Sequence, residues 1–197
     1  MKKIRIAVLV SGGGTNLQAI IDAQGSAIQS GEVVLVISNN ENAYAIERAK
    51  KANIKSAVIT KKQFGAAFES EIIRILEENR IDLIVLAGFM SILSQDFTSR
   101  YDHRILNIHP SLIPSFCGEG FYGLRVHEAA LKKGVKVTGA TVHFVNEIPD
   151  GGEIIAQKAV LVQDGDTSEV LQRRVMEEAE WVIFPQAIEQ VAKELLR

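Results

Sequence analysis

Apolar runs and helical repeats alternate along this chain. Ile4 to Val10 is almost continuously apolar and β-rich, the pattern of a strand covered on both faces. Ser11-Gly12-Gly13-Gly14-Thr15-Asn16 interrupts it, and Leu17, Ile20 and Ile21 then recur at helical spacing, with Thr15 or Asn16 as the expected cap. Val33 to Ser38 predicts a second strand, Ala43 to Ala52 a helix, and Lys55 to Thr60 a short third strand. Phe64, Phe68, Ile72, Ile75 and Leu76 predict one helix from Phe64 to Asn79, and Asp82 to Ala87 a fourth buried strand. Strands that alternate with helices imply parallel pairing and right-handed crossovers.

The pattern changes in the second half. Ile105 to His109 is a strand stopped by Pro110, which offers no amide to a neighbour. Leu124 to Lys133 reads as a helix closed by Gly134. Val137 to Val145 and Glu153 to Val162 are long alternating runs joined by Asn146-Glu147-Ile148-Pro149-Asp150-Gly151-Gly152, the pattern of an antiparallel pair. Thr167 to Leu196 reads as a long helical segment, capped by Asp166 or Thr167 and kinked or divided at Pro185. The fold class expected is α/β: one domain over 1–197 with a Rossmann-like, mostly parallel central sheet, helices on both faces, and antiparallel strands added in the C-terminal half. The division expected is a phosphate-binding half over about 1–104 and a catalytic half over about 105–197.

Composition narrows this frame in a few respects. A net charge of −2 without a dense Lys/Arg block argues against a nucleic-acid partner. The first apolar run is too short to span a membrane or to act as a signal peptide. The single cysteine, Cys117, rules out an intrachain disulfide and suits a reducing, cytoplasmic setting. Small-molecule substrates are the expected partners, with a monomer or homodimer as the expected state. His103, His109, His127 and His143 show no metal-ligand spacing, so no metal is expected.

The candidate chemistry sits at strand ends. Alternation places Asn107 and His109 on one face of their strand, at the carboxyl edge where open α/β sheets bind ligands. An amide can donate to an oxyanion and an imidazole can move a proton near neutral pH. Asp150, in the loop between the alternating runs, would favour the charged imidazole if it lay nearby. The glycine turn at 12–14 precedes a helix, the setting in which amides bind phosphate. It lacks both the GxGxxG spacing and the P-loop lysine, so a monophosphate is expected. The segment Gly88 to Leu93 fits a short helix packed on the core better than an apolar slot for a flat ring. Glu177, Glu178 and Glu180 read as a solvated acidic face.

Asn107-Ile108-His109-Pro110-Ser111-Leu112-Ile113-Pro114, together with Thr138 to Ile155 and the SGGGTN turn at 11–16, resembles the folate-dependent formyltransferases over nearly the whole chain. The resemblance implies formyl transfer from 10-formyltetrahydrofolate to the amine of 5-phosphoribosylglycinamide. It places Asn107, His109 and Asp150 at the reacting carbon, with Asp150 raising the pKa of His109. It assigns the substrate phosphate to Gly13, Gly14, Thr15 and Asn16, and the glycinamide part to Glu180. Met90, Ser91, Ile92 and Leu93 would meet the folate, closed over by Asn146, Glu147, Ile148 and Pro149. The chain departs from the family pattern at Ser91, where many members carry arginine, and at Gly65, where some do. Alternatives are another formyl-folate enzyme, such as a hydrolase, or a non-catalytic phosphometabolite-binding domain. The latter has no need for Asn107, His109 and Asp150 together.

Overall fold

The computed structural model describes residues 2–197. Its strands are β1 (Ile4–Val10), β2 (Gly31–Ser38), β3 (Lys55–Val58), β4 (Leu83–Leu86), β5 (Ile105–His109), β6 (Val137–Phe144) and β7 (Ile154–Leu161). They form one sheet in the order β3-β2-β1-β4-β5-β6-β7. β1 to β5 pair in parallel, and β6 and β7 are added antiparallel. This is the architecture expected from the sequence, with strand ends displaced by a residue or two.

The helices are α1 (Thr15–Asp22), α2 (Ala45–Lys51), α3 (Lys61–Phe64), α4 (Phe68–Glu78), α5 (Gln95–Arg100), α6 (Leu124–Lys133), α7 (Ser168–Val175) and α8 (Trp181–Leu195). The alternation along β1 divides the core into two layers. Ile6, Val8 and Val10 face Leu17, Ile20, Val175 and Phe184, whereas Ala7 and Leu9 face Phe68, Ile72, Leu76 and Phe97. Both faces of β1 are therefore dry, which is why its sequence lacks the polar alternation of a half-exposed strand. β7 is the sheet edge, and its burial alternates.

Four local expectations are corrected. The helix expected over 64–79 is broken: α3 ends at Phe64, Gly65 takes φ +52°, and one 3-10 turn (Gly65–Ala67) leads into α4. That left-handed backbone is strained for a side chain and open to glycine. Residues 88–93 form no helix, because Gly88 turns at φ +74° and the Met90 amide donates to the Ser11 hydroxyl at 2.7 Å. Neither Thr15 nor Asn16 caps α1; Gly14 does, at φ +71°, in a position where a Cβ would lie 2.7 Å from that of Ala45. Pro185 lies inside α8 and does not divide the C-terminal segment. The irregularity falls earlier, at a π turn over Met176–Glu180, where the Trp181 amide reaches back to the Met176 carbonyl. Thr167 caps α7, its hydroxyl accepting from the Val170 amide.

The connection from β3 to β4 crosses to the far side of β1, so the direction of winding reverses between β1 and β4. A crevice is expected at the carboxyl ends of the strands beside such a reversal. The bond from Met90 to Ser11 ties together the loops that leave β4 and β1 at this point.

Candidate active site

A cavity of 330 Å³ opens at the carboxyl ends of β4 and β5, walled by Met90, Ile92, Asn107, His109, Tyr122 and Asp150 among others. β5 supplies Asn107 and His109 from one face, as alternation requires. β6 lies antiparallel to it with Asn107 opposite His143 and His109 opposite Thr141. Register alone thus sets a second imidazole beside the amide.

Asp150 joins the two strands. Its Oδ2 lies 3.4 Å from His109 Nδ1 and its Oδ1 lies 3.5 Å from His143 Nε2. Oδ2 also accepts from the Gly118 amide at 2.9 Å. Asp150 sits at φ +55° in the β6–β7 loop, the left-handed region that Asp tolerates better than most residues. The expected meeting of amide, imidazole and carboxylate is therefore present.

Three hydrogen bonds refine the roles. Asn107 Nδ2 donates to His143 Nε2 at 3.2 Å, while His143 Nδ1–H donates to the Phe144 carbonyl at 2.7 Å. An amide nitrogen carries two hydrogens, so one remains for a ligand oxygen. His109 Nε2–H donates to the Phe116 carbonyl at 2.9 Å. A ligand oxygen must compete with that carbonyl for the same hydrogen.

The electrostatics add burial to the expected influence of Asp150 on His109. Burial pushes the His109 imidazole below the usual histidine range. The Asp150 carboxylate and the Phe116 carbonyl pull it upward without overcoming burial, and His143 adds a further downward push. Asp150 therefore raises the His109 pKa relative to a site without it, but the net direction is down. Burial works against ionisation of Asp150 itself. It is outweighed by the pull of the neighbouring His143 imidazole, the charge of His109 and the Gly118 amide, which together hold the carboxyl below its ordinary range. Asp150→Asn should consequently move the His109 titration to still lower pH. Imidazole titration by NMR reads this directly, and an unchanged curve rejects the coupling.

The glycine turn has the form of an anion cradle. The carbonyls of Ser11, Gly12, Gly13 and Gly14 accept from Asn40, Ala45, Arg48 and Gln18, respectively. The amides of residues 12–16 have no backbone acceptor among the described residues. Carbonyls tied back and amides left bare are what an anion requires. The Thr15 hydroxyl donates to the Met176 sulfur at 3.8 Å, and Asn16 Nδ2 donates to Glu180 Oε2 at 2.6 Å. Glu180 is thus not part of a solvated acidic face. It is 5% exposed, and burial pushes its carboxyl up to about 7 against the opposing pull of Asn16.

The residues expected to hold a flat ring divide. Met90 and Ile92 are 56% and 68% exposed and line the cavity with Ser91, whose hydroxyl accepts from Asn39 Nδ2 at 2.9 Å. Leu93 turns into the core, packed in the layer of Phe68 and Phe97. Pro149 lines the cavity, whereas Asn146 and Glu147 border a separate depression with Thr98 and Asp102. The side chain of Asn146 is committed to its own loop, accepting from Ile148 N at 3.0 Å and donating to Gly151 O. Ile148 is exposed.

Sequence reasoning missed His143, Phe116 and Gly118. Only the β5–β6 register could have flagged His143. His127, on α6, is fully buried with neither nitrogen bonded among the described residues. Burial, with His109 adding to it, pushes His127 down to about 4, so it is neutral at physiological pH.

A doubly wound sheet that brings an amide, two imidazoles and a carboxylate, groups able to polarise a carbonyl and move a proton, to its carboxyl edge is the arrangement of an α/β enzyme. Residues 4–188 match the formyl transferase family, and the chain belongs to it. It is 44% identical over 199 residues to phosphoribosylglycinamide formyltransferase of Haemophilus influenzae, covering 100% of this chain and 90% of that protein. It is 47% identical over 193 residues to the trifunctional purine biosynthetic protein adenosine-3 of Homo sapiens, covering 97% of this chain. The chain spans less than a fifth of the length of the vertebrate trifunctional proteins, 18% of the human one. Among solved structures, glycinamide ribonucleotide transformylase 1 from Symbiobacterium toebii superposes with a TM-score of 0.90 at 42% identity, covering 98% of this chain and 89% of that one. No helix among the described residues is long and apolar enough to cross a membrane.

Proposed function

We propose that this chain transfers a formyl group from 10-formyltetrahydrofolate to the amine of 5-phosphoribosylglycinamide, a step of purine biosynthesis. The observation that carries the reading is the Asp150 carboxylate set between His109 and His143 at 3.4 and 3.5 Å, with Asn107 beside them at the cavity wall. The names of the Haemophilus and Symbiobacterium relatives support it.

The cavity fits the folate: exposed Met90 and Ile92 give an apolar wall for a flat ring, and Pro149 forms part of another side. When bound, 10-formyltetrahydrofolate supplies a formyl carbon open to attack by an amine. Asn107 donates its free amide hydrogen to the oxygen that gains charge, and His109 donates Nε2–H to it in place of the Phe116 carbonyl. Asp150 holds the His109 ring by Nδ1 and stabilises its charged form; the amine loses a proton as its bond to the formyl carbon forms, and the folate nitrogen departs with a proton as its own bond to that carbon breaks. The amides of Gly13, Gly14, Thr15 and Asn16 receive the substrate phosphate, and Glu180 lies next to that turn against the glycinamide part. Ser91 and Gly65 bring no cation to the folate tail, so contacts there rest on other groups.

The test is turnover by the purified chain with 10-formyltetrahydrofolate and 5-phosphoribosylglycinamide. Formation of the formylated product with loss of formyl-folate is expected. Release of formate without a formylated acceptor would identify a hydrolase instead.

A further inference from the structure

Glu180 closes the π turn between α7 and α8, and among the described residues one side chain hydrogen-bonds it: Asn16, from the first turn of α1, at 2.6 Å. Asn16 Oδ1 is also buried and has no partner among the described residues. An amide in this position can serve both states of a carboxyl group. Its NH₂ donates to a carboxylate; rotated by half a turn, its oxygen accepts from a carboxylic acid. The backbone amide of the same residue ends the run of bare amides in the glycine turn. Asn16 therefore belongs to the turn through its backbone and to Glu180 through its side chain.

We propose that Asn16 is a positioning residue that fixes the Glu180 carboxyl against the glycine turn and couples the charge of that carboxyl to the filling of the turn by a phosphate. A dianion in the turn disfavours a second negative charge beside it, so phosphate binding promotes proton uptake by Glu180. By linkage, ionised Glu180 weakens phosphate binding by the same factor. Both states are accessible near neutral pH, because burial places the carboxyl at about 7. The influences on it are burial and the Asn16 amide, with no charged group acting from α1, α7 or α8. Nearby charges are paired elsewhere, Arg173 with Glu177 at 2.8 Å and Arg174 with Asp166 at 2.5 Å.

The coupling rests on the reading of the glycine turn as a phosphate site; the positioning of Glu180 does not. The experiment is a carbon-13 carboxyl titration of Glu180 by NMR, with Glu180→Gln to assign the signal. In the free protein the midpoint lies near 7. In Asn16→Leu it rises by about one pH unit, since the donor that favours the carboxylate is gone. Asn16→Asp, nearly isosteric, sets a second carboxyl opposite the first and raises it as well. An unchanged midpoint in whichever of these variants folds overturns the positioning role. Saturating ribose 5-phosphate raises the wild-type midpoint by about one further unit. If this probe binds without moving the midpoint, the coupling is overturned and the phosphate site stands. If it does not bind while the variant shifts persist, the phosphate reading fails together with the coupling, and the positioning role is upheld.

Discussion

His109→Ala lowers kcat by about a hundred- to a thousand-fold, the usual consequence of removing one preorganised donor from a site where an oxyanion develops. The KM for each substrate changes far less, because the donor matters most when negative charge has formed on the oxygen. Asn107→Ala loses activity on the same scale, since its free amide hydrogen is aimed from the adjacent position on the same strand face. The two losses are less than additive: both donors serve one oxygen, and Asp150 and His143 link them. His109 is only 4% exposed, so its loss leaves a hole. His109→Gln, which keeps volume and a donor but no titrating ring, separates charge handling from packing. Near-full turnover in a folded His109→Ala protein would remove that residue from the reaction.

Gly152→Ala unfolds the protein more readily and inactivates it. A Cβ at Gly152 would stand 1.8 Å from the Phe144 carbonyl oxygen and 2.7 Å from its carbon. These are backbone atoms and cannot rotate away. The Phe144 amide meanwhile accepts no alternative position easily, as it donates to the Glu153 carbonyl at 2.8 Å and closes the mouth of the β6–β7 hairpin. The hairpin must part, at a cost of about 3 kcal/mol. For a chain of this size that lowers Tm by about 6–12 °C. Asp150, two residues away, moves with the loop, so kcat falls even below the new melting temperature. Thermal unfolding followed by assay at a permissive temperature measures both effects. A Tm within about 2 °C of wild type would mean that the hairpin mouth yields without cost.

Much of the frame was legible from pattern. Ile4 to Val10 is apolar on both faces because helices cover both, and that burial leaves a direct imprint on composition. The long alternating runs after Val137 announced the antiparallel addition for the converse reason: β7 forms an edge. Capping and breaks were less legible. Pro185 is a strong local signal for a break, yet packing of Phe184, Ala187, Ile188 and Val191 against the sheet holds α8 continuous through it. Gly65 looked like one residue within a helix, and its left-handed backbone ended that helix.

Alternation within β5 determined that Asn107 and His109 share a face, and Pro110 determined where the strand stops, since both follow from backbone geometry between neighbours. Whether Asp150 reaches His109 was decided by the β5–β6–β7 register, which also brought in His143, while the loop after β5 set the Phe116 carbonyl on the imidazole. The charge balance likewise belongs to the tertiary structure. A nearby carboxylate by itself argues for a raised His109, and three glutamates in the first half of a long helical segment argue for a solvated face. Desolvation outweighs the first argument and buries Glu180 against the second. It depends on how many atoms from distant parts of the chain exclude water from a group, a quantity with no local signature in sequence.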